Sequence, residues 1–151
     1  YDDYCLTSSF YELMQEDPDD VRNQAYTVVP KTKRAYIAKY QPQSGKAVED
    51  SNIPVLRLSE LYLIAAEASG DIGYLEELRA HRGYANQPLP EEADLQEELR
   101  KEYQKEFVAE GQLFYFYKRQ NLTTIPFTAQ AMRDVYVFPM PDNELEFGNI
   151  K

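Results

Sequence analysis

Three glutamates, Glu102, Glu106 and Glu110, recur at every fourth residue, a spacing that stacks them on one face of a helix. Paired carboxylates are the equipment of glycoside hydrolysis, one serving as acid and the other as nucleophile or base. Two features argue against that use. Arg100, Lys101 and Lys105 are interleaved at ion-pairing distances along the helix, which reads as a solvated or ion-paired face. Catalytic carboxylates also usually come from different segments around a cleft, and no second segment is marked. A glycosidase built on Glu106 and Glu110 therefore ranks last among the functional readings. Asp17, Asp19 and Asp20 offer hard oxygen ligands to calcium but lack the spacing and glycine of an EF-hand loop, so a solvated turn is expected there. His81 is the only histidine and Cys5 the only cysteine, which leaves little for a Cys/His zinc site or a histidine-dependent triad and excludes an internal disulfide. His81 is expected at the surface or in packing. Asn121-Leu122-Thr123 matches the N-glycosylation acceptor pattern, which has meaning only in a eukaryotic secretory context. No catalytic residue, metal or cofactor is expected.

Tyrosine is the more suggestive residue type, with 13 tyrosines and no tryptophan. An aromatic face stacks on the C–H face of a sugar ring while the hydroxyl offers a hydrogen bond. Tyr103, Tyr115 and Tyr117 fall within a helical apolar pattern and are expected in the core. Tyr40 and Tyr84 border loops, and they are the candidate ligand-binding residues.

These residues must be positioned by helices. Ser9-Phe10-Tyr11-Glu12 reads as a capping box opening a short helix that ends before Asp17-Pro18. Tyr26 to Val29 and Ala35 to Tyr40 read as short strands. From Pro54, Leu58, Leu61, Tyr62, Ala65 and Ala68 recur at helical spacing, with Leu63 and Ile64 adding a second apolar side, so this helix is expected to be covered on two faces. Gly70 is placed to end that helix and Asp71 to cap the next, whose face carries Ile72, Leu75 and Leu78 before Gly83 closes it. Joined by so short a turn, the two form an antiparallel hairpin, and Ala65, Ala66, Ala68 and Ser69 permit close approach. Tyr84 to Pro90 reads as a loop. Asp94 caps the longest helix, which is expected to run to about Arg119 with a stripe of Leu95, Leu99, Tyr103 and Phe107 and a wholly apolar end at Leu113 to Tyr117. Gly111 within it implies a close neighbour or a slight bend. Val135 to Phe138 reads as a strand, followed by Pro139 and Pro141.

The chain is thus expected to be mostly α within one domain: a loop and short-strand segment at 1–50, helices at 51–121 and an extended tail at 122–151. A formal charge of −10 opposes binding to nucleic acid or to an anionic membrane surface, and no apolar stretch is long enough for a transmembrane segment. Lacking an initiator methionine and a signal peptide at Tyr1, the chain reads as a mature product or a piece of a longer one.

The segment Asn52 to Ala68, in which Arg57, Glu60, Leu63, Ala66, Glu67 and Ala68 follow the pattern R-x-x-E-x-x-L-x-x-A-E-A, resembles the SusD-like (RagB/SusD) family. Glu106-Phe107-Val108-Ala109-Glu110-Gly111 with Lys118-Arg119 is similar to that family's E-L-x-x-E-G helix and its closing arginine. Asp20-Val21-Arg22 and Val137-Phe138-Pro139-Met140-Pro141 with Glu144 resemble its upstream Asp/Arg and C-terminal P-x-P motifs. Tyr103, Leu113 and Phe116 depart from the family pattern, which often carries Arg, Arg and Asp at these places, and they mark a more apolar helix end. The resemblance implies the C-terminal part of a tetratricopeptide-like α-α superhelix with short strands and long loops. It further implies a surface-exposed outer-membrane lipoprotein of polysaccharide utilisation, not an enzyme, that binds a glycan or other nutrient and passes it to a TonB-dependent SusC-like transporter. The lipid anchor would lie in an N-terminal part outside this chain, since Cys5 has no lipobox before it. The motif residues Glu67, Glu110 and Arg119 would brace helices, and Gly111 would allow close approach. A helical protein-interaction scaffold without a small-molecule ligand is the alternative.

Overall fold

The computed structural model describes residues 5–40, 54–85, 87–126, 135–137 and 140–141. The chain divides into two compact units, Tyr1–Leu113 and Phe114–Lys151. It is mostly α, with one two-stranded sheet among the described residues.

In the first unit, α1 (Ser8–Met14) starts one residue before the expected capping serine. The cap is Thr7, whose extended backbone aims its hydroxyl at the Phe10 N–H, 3.3 Å away. A short 3-10 turn, Val21–Ala25, leads into β1 (Tyr26–Val29), which pairs antiparallel with β2 (Arg34–Ile37) so that Tyr26 faces Ile37 and Val29 faces Arg34. The hairpin lies on α1 through Met14, Tyr26 and Ala35, with Leu6, Phe10 and Tyr11 closing the cluster. Tyr11 and Tyr26 meet edge to face at 5.4 Å.

The helix pair forms where its local signals place it. α2 (Leu58–Ser69) ends on Gly70 at φ 71°, and Asp71 accepts from the Gly73 N–H to start α3 (Ile72–Arg79). Ser69 tightens the turn by donating to the Ala65 carbonyl and accepting from the Asp71 N–H. α2 packs on α3 and also on α4 (Leu95–Glu106), itself capped by Asp94. The buried face of α2 is Ser59, Leu63 and Ala66. The stripe expected to be core is the open side, since Leu58 is 67% and Leu61 59% exposed, and of the small residues only Ala66 is buried. The two apolar sides suggested cover on both; instead Leu63 alone of the second side packs inward against α3 and α4, and Ile64 is 45% exposed.

α3 continues into a wide π-type turn, Ala80–Tyr84, containing Gly83 at φ 112°. A Cβ on Gly83 would lie 2.3 Å from the Asp19 carbonyl oxygen, so this glycine lets the turn abut the segment before the 3-10 turn. The close approach expected of Gly111 is therefore made by Gly83, because nothing lies within 4 Å of a Cβ at Gly111. The long helix is not continuous. It stops at Glu106 and resumes as α5 (Gln112–Arg119), with Ala109 at φ 62° and Gly111 at φ 76° between. Those left-handed residues cannot belong to a right-handed helix, so the expected slight bend is a full break.

In the second unit, α5 ends in a Schellman turn: the Leu122 N–H donates to the Tyr117 carbonyl and the Asn121 N–H to that of Lys118, with Asn121 left-handed at φ 51°. The aromatic run is not packed all round, because Tyr115 is 68% exposed while Phe116 and Tyr117 are buried. Tyr136 donates to the Leu122 carbonyl at 2.9 Å, and its ring lies 5.8 Å from Phe114. Val135 to Val137 follow a turn and bend instead of the expected strand. Phe138, Pro139 and Glu144, like Asn52 and Ile53 of the first motif, lie outside the described residues.

Gly83→Ala combines a positive φ with a backbone clash, and is expected to cost about 2–4 kcal/mol. Urea unfolding should show a lower midpoint at unchanged slope.

Candidate functional site

The carboxylate ladder is where the charges of the first unit converge. Glu102 is fully buried, at 0% exposure, and Glu106 nearly so. Their partners are not the neighbouring bases of α4 but arginines brought from elsewhere. Arg22 donates to Glu102 at 2.7 Å while its other edge forks onto both oxygens of Asp20 at 2.7 to 3.1 Å. Arg79, at the end of α3, donates to the second Glu102 oxygen at 3.0 Å. Arg82, from the π-type turn, grips Glu106 with two hydrogen bonds of 3.0 Å. Arg57, before α2, does the same to Glu110 at 3.0 and 2.8 Å, and Lys39 also pairs with that carboxylate. Such two-point contacts fix orientation as well as charge.

The neighbouring bases divide differently. Lys105 is 1% exposed and donates to Glu16 at 2.7 Å and to the Tyr84 hydroxyl at 3.1 Å. Arg100 and Lys101 pair with Glu97 and Glu98 one turn back, as expected of an outer helix face. The ladder is thus ion-paired and buried, not solvated.

The candidate tyrosines both enter this network. The Tyr84 hydroxyl donates to Asp20 at 3.2 Å, and its ring lies 4.2 Å beneath the Arg79 guanidinium. Burial, then the charges of Asp20 and Glu102, push its hydroxyl well above the ordinary tyrosine range. Tyr40 is half-buried, has φ 64°, donates to Glu110 at 3.0 Å and accepts from Arg57 at 3.3 Å. Burial, then the hydrogen bond to Glu110, raises its hydroxyl too.

The remaining candidates are spread apart. Asp17 accepts from the Asp19 N–H at 2.8 Å, while Asp20 faces Arg22. Among the described residues no three His, Cys, Asp or Glu side chains gather as a metal site would require. His81 is exposed, 3.3 Å from Glu77 one turn back. Asn121 serves as the helix stop described above. Of the motif residues, Glu67 accepts from the Tyr103 hydroxyl at 3.3 Å, tying α2 to α4, and Arg119 lies over the Phe116 ring. Sequence reasoning passed over Arg79 and Arg82 and did not join Arg22 and Arg57 to the ladder. A usable signal existed, because Arg22, Arg57, Glu106 and Glu110 all fall in the recognised motifs.

Burial alone would raise the Glu106 carboxyl, but the hydrogen bonds and charge of Arg82 more than reverse it and hold it at about 2, against 4.5 for an ordinary glutamate. Asp20 and Glu16 are also held low: burial opposes this, and Arg22 in the one case and Lys105 in the other prevail.

Architecture and site together define an α-helical scaffold whose strongest charges are spent on one another. The model of the SusD family matches residues 3–137, and the chain belongs to that family. That family is one of nutrient-binding proteins. No curated protein and no solved structure matches the chain. No described helix is long and apolar enough to cross a membrane.

Glu102→Ala leaves Arg22 and Arg79 buried with less compensation and should cost about 3–5 kcal/mol. Glu97→Ala, which breaks only the outer pair with Arg100, should stay within about 0.5 kcal/mol in the same denaturation assay. The depressed Glu106 makes the unfolded chain bind more protons in acid. Its contribution is complete above 4.5 and is lost as pH falls toward 2, amounting to about 3 kcal/mol. Thermal unfolding from pH 6 to pH 2.5 should show that loss, and Glu106→Gln should flatten it.

Proposed function

We propose that this chain is part of a surface-exposed glycan- or nutrient-binding protein that delivers its ligand to a TonB-dependent SusC-like transporter at the outer membrane. Family membership carries the reading. The ladder is compatible with it: Glu102, Glu106 and Glu110 each accept hydrogen bonds from one or two arginines, an arrangement that braces a scaffold and leaves neither an acid nor a base poised for hydrolysis. Tyr40 and Tyr84 are the candidate contacts, and Tyr40 has the more accessible ring.

One observation favours a second reading, a helical protein-interaction scaffold without a small-molecule ligand. The exposed side of α2 is aliphatic, formed by Leu58, Leu61 and Ile64 beside Tyr74, with Val55 and Leu56 just before it.

Calorimetric titration of the full-length protein with a panel of neutral and acidic glycans, paired with affinity purification from membranes, separates the two. Heat with at least one glycan and recovery of a TonB-dependent transporter are expected. Tyr40→Ala should then weaken binding by roughly tenfold, while Tyr40→Phe keeps the ring and most of the affinity. Uniform silence together with a transporter-free pull-down would sink the delivery role.

A further inference from the structure

The break between α4 and α5 is not forced by the local sequence. From Leu95 to Arg119 there is no proline, and Val108, Ala109 and Gln112 are all residues that a helix accepts. Ala109 nevertheless adopts φ 62°, a conformation that costs an alanine what it does not cost a glycine, and its methyl group is exposed. Gly111 is also left-handed, with open space around it. Gly111 is itself a helix-stop signal, and the strain at Ala109 calls for contacts from beyond the segment to hold the corner.

That holding point is Glu110, the residue between the two left-handed positions. Its carboxylate receives the Arg57 fork, the Tyr40 hydroxyl and the Lys39 ammonium, three groups from two other stretches of chain. Lys39 also donates to the Glu106 carbonyl at 2.6 Å, capping the last turn of α4, and the Arg57 guanidinium lies 4.5 Å from the centre of the Phe107 ring. Every one of these contacts is made to the residues that end α4 or follow it.

We propose that Glu110 is the latch of a two-state corner: held by Arg57, Tyr40 and Lys39 it keeps the chain broken between Glu106 and Gln112, and released it lets residues 95–119 run as one helix. The corner is then a conformational device within the first unit. This inference does not rest on the ligand-binding reading.

Amide hydrogen exchange, followed by NMR on the full chain, reads the two states directly. The first N–H groups of a helix have no intrahelical acceptor, so Gly111, Gln112 and Leu113 should exchange fast in the parent protein. In Glu110→Ala the continuous helix gives them partners, and their exchange should slow by about tenfold or more. Adding Ala109→Gly, which removes the cost of the bent state, should restore fast exchange. Unchanged or faster exchange in Glu110→Ala, with protection elsewhere intact, overturns the proposal. Should that variant fail to fold, Gly111→Ala decides: it leaves every ion pair in place and strains only the broken state. Slower exchange of the same amides supports the latch, and unchanged exchange refutes it.

Discussion

A carboxylate withdrawn from water must be met by cations, and in this chain that requirement organises the first unit. α4 carries Glu102 and Glu106 into the interior and the corner after it holds Glu110, and each is met by an arginine from a different part of the chain. The 3-10 turn contributes Arg22, the approach to α2 contributes Arg57, α3 and its π-type turn contribute Arg79 and Arg82, and the end of the hairpin contributes Lys39. The cluster therefore acts as a register. A burial of this kind adds little net stability compared with a well-packed apolar core, because desolvation offsets most of the attraction. Its effect is to penalise any arrangement in which one segment is misplaced, since a buried charge would then lose its partner.

Aromatic rings share that task. Tyr84 lies under Arg79 and between Asp20 and Lys105, and Phe107 lies under Arg57. A guanidinium between a carboxylate and a ring meets a charge along its edge and a π cloud on its face at once, which an ammonium cannot do. Gly83 belongs to the same construction, because only a residue without a side chain lets the Arg82 turn abut the Asp19–Asp20 backbone that leads to Arg22.

What the sequence makes legible follows from the range of each signal. The α2–α3 hairpin could be read because its stop and start are set within a few residues, by Gly70 and Asp71. The hairpin strands could be read from β-branched and tyrosine-rich runs. The buried face of α2 could not, because Leu58 and Leu63 are equally apolar and only the presence of two packing partners decides between them. The break after Glu106 was hidden for a related reason: hydrophobic spacing reports a face, not the sign of φ at Ala109. The ladder's partners were out of reach of local rules, with Arg22 lying 80 residues from Glu102 and Arg79 lying 23. Family motifs, in which Asp20-Arg22, Arg57 and Glu106 to Gly111 appear together, were the one long-range hint.

Six of the chain's 16 basic side chains, Arg22, Lys39, Arg57, Arg79, Arg82 and Lys105, are committed to this cluster beside six of its 26 carboxylates. The outer shell of a chain already at −10 is accordingly poorer in cations than its composition suggests. A polyanion drifting toward that shell meets a repulsive field reaching about 10 Å at 0.1 M salt, whereas an uncharged polyhydroxyl molecule crosses it unopposed. The inward turn of the arginines thus leaves the outer field to the carboxylates.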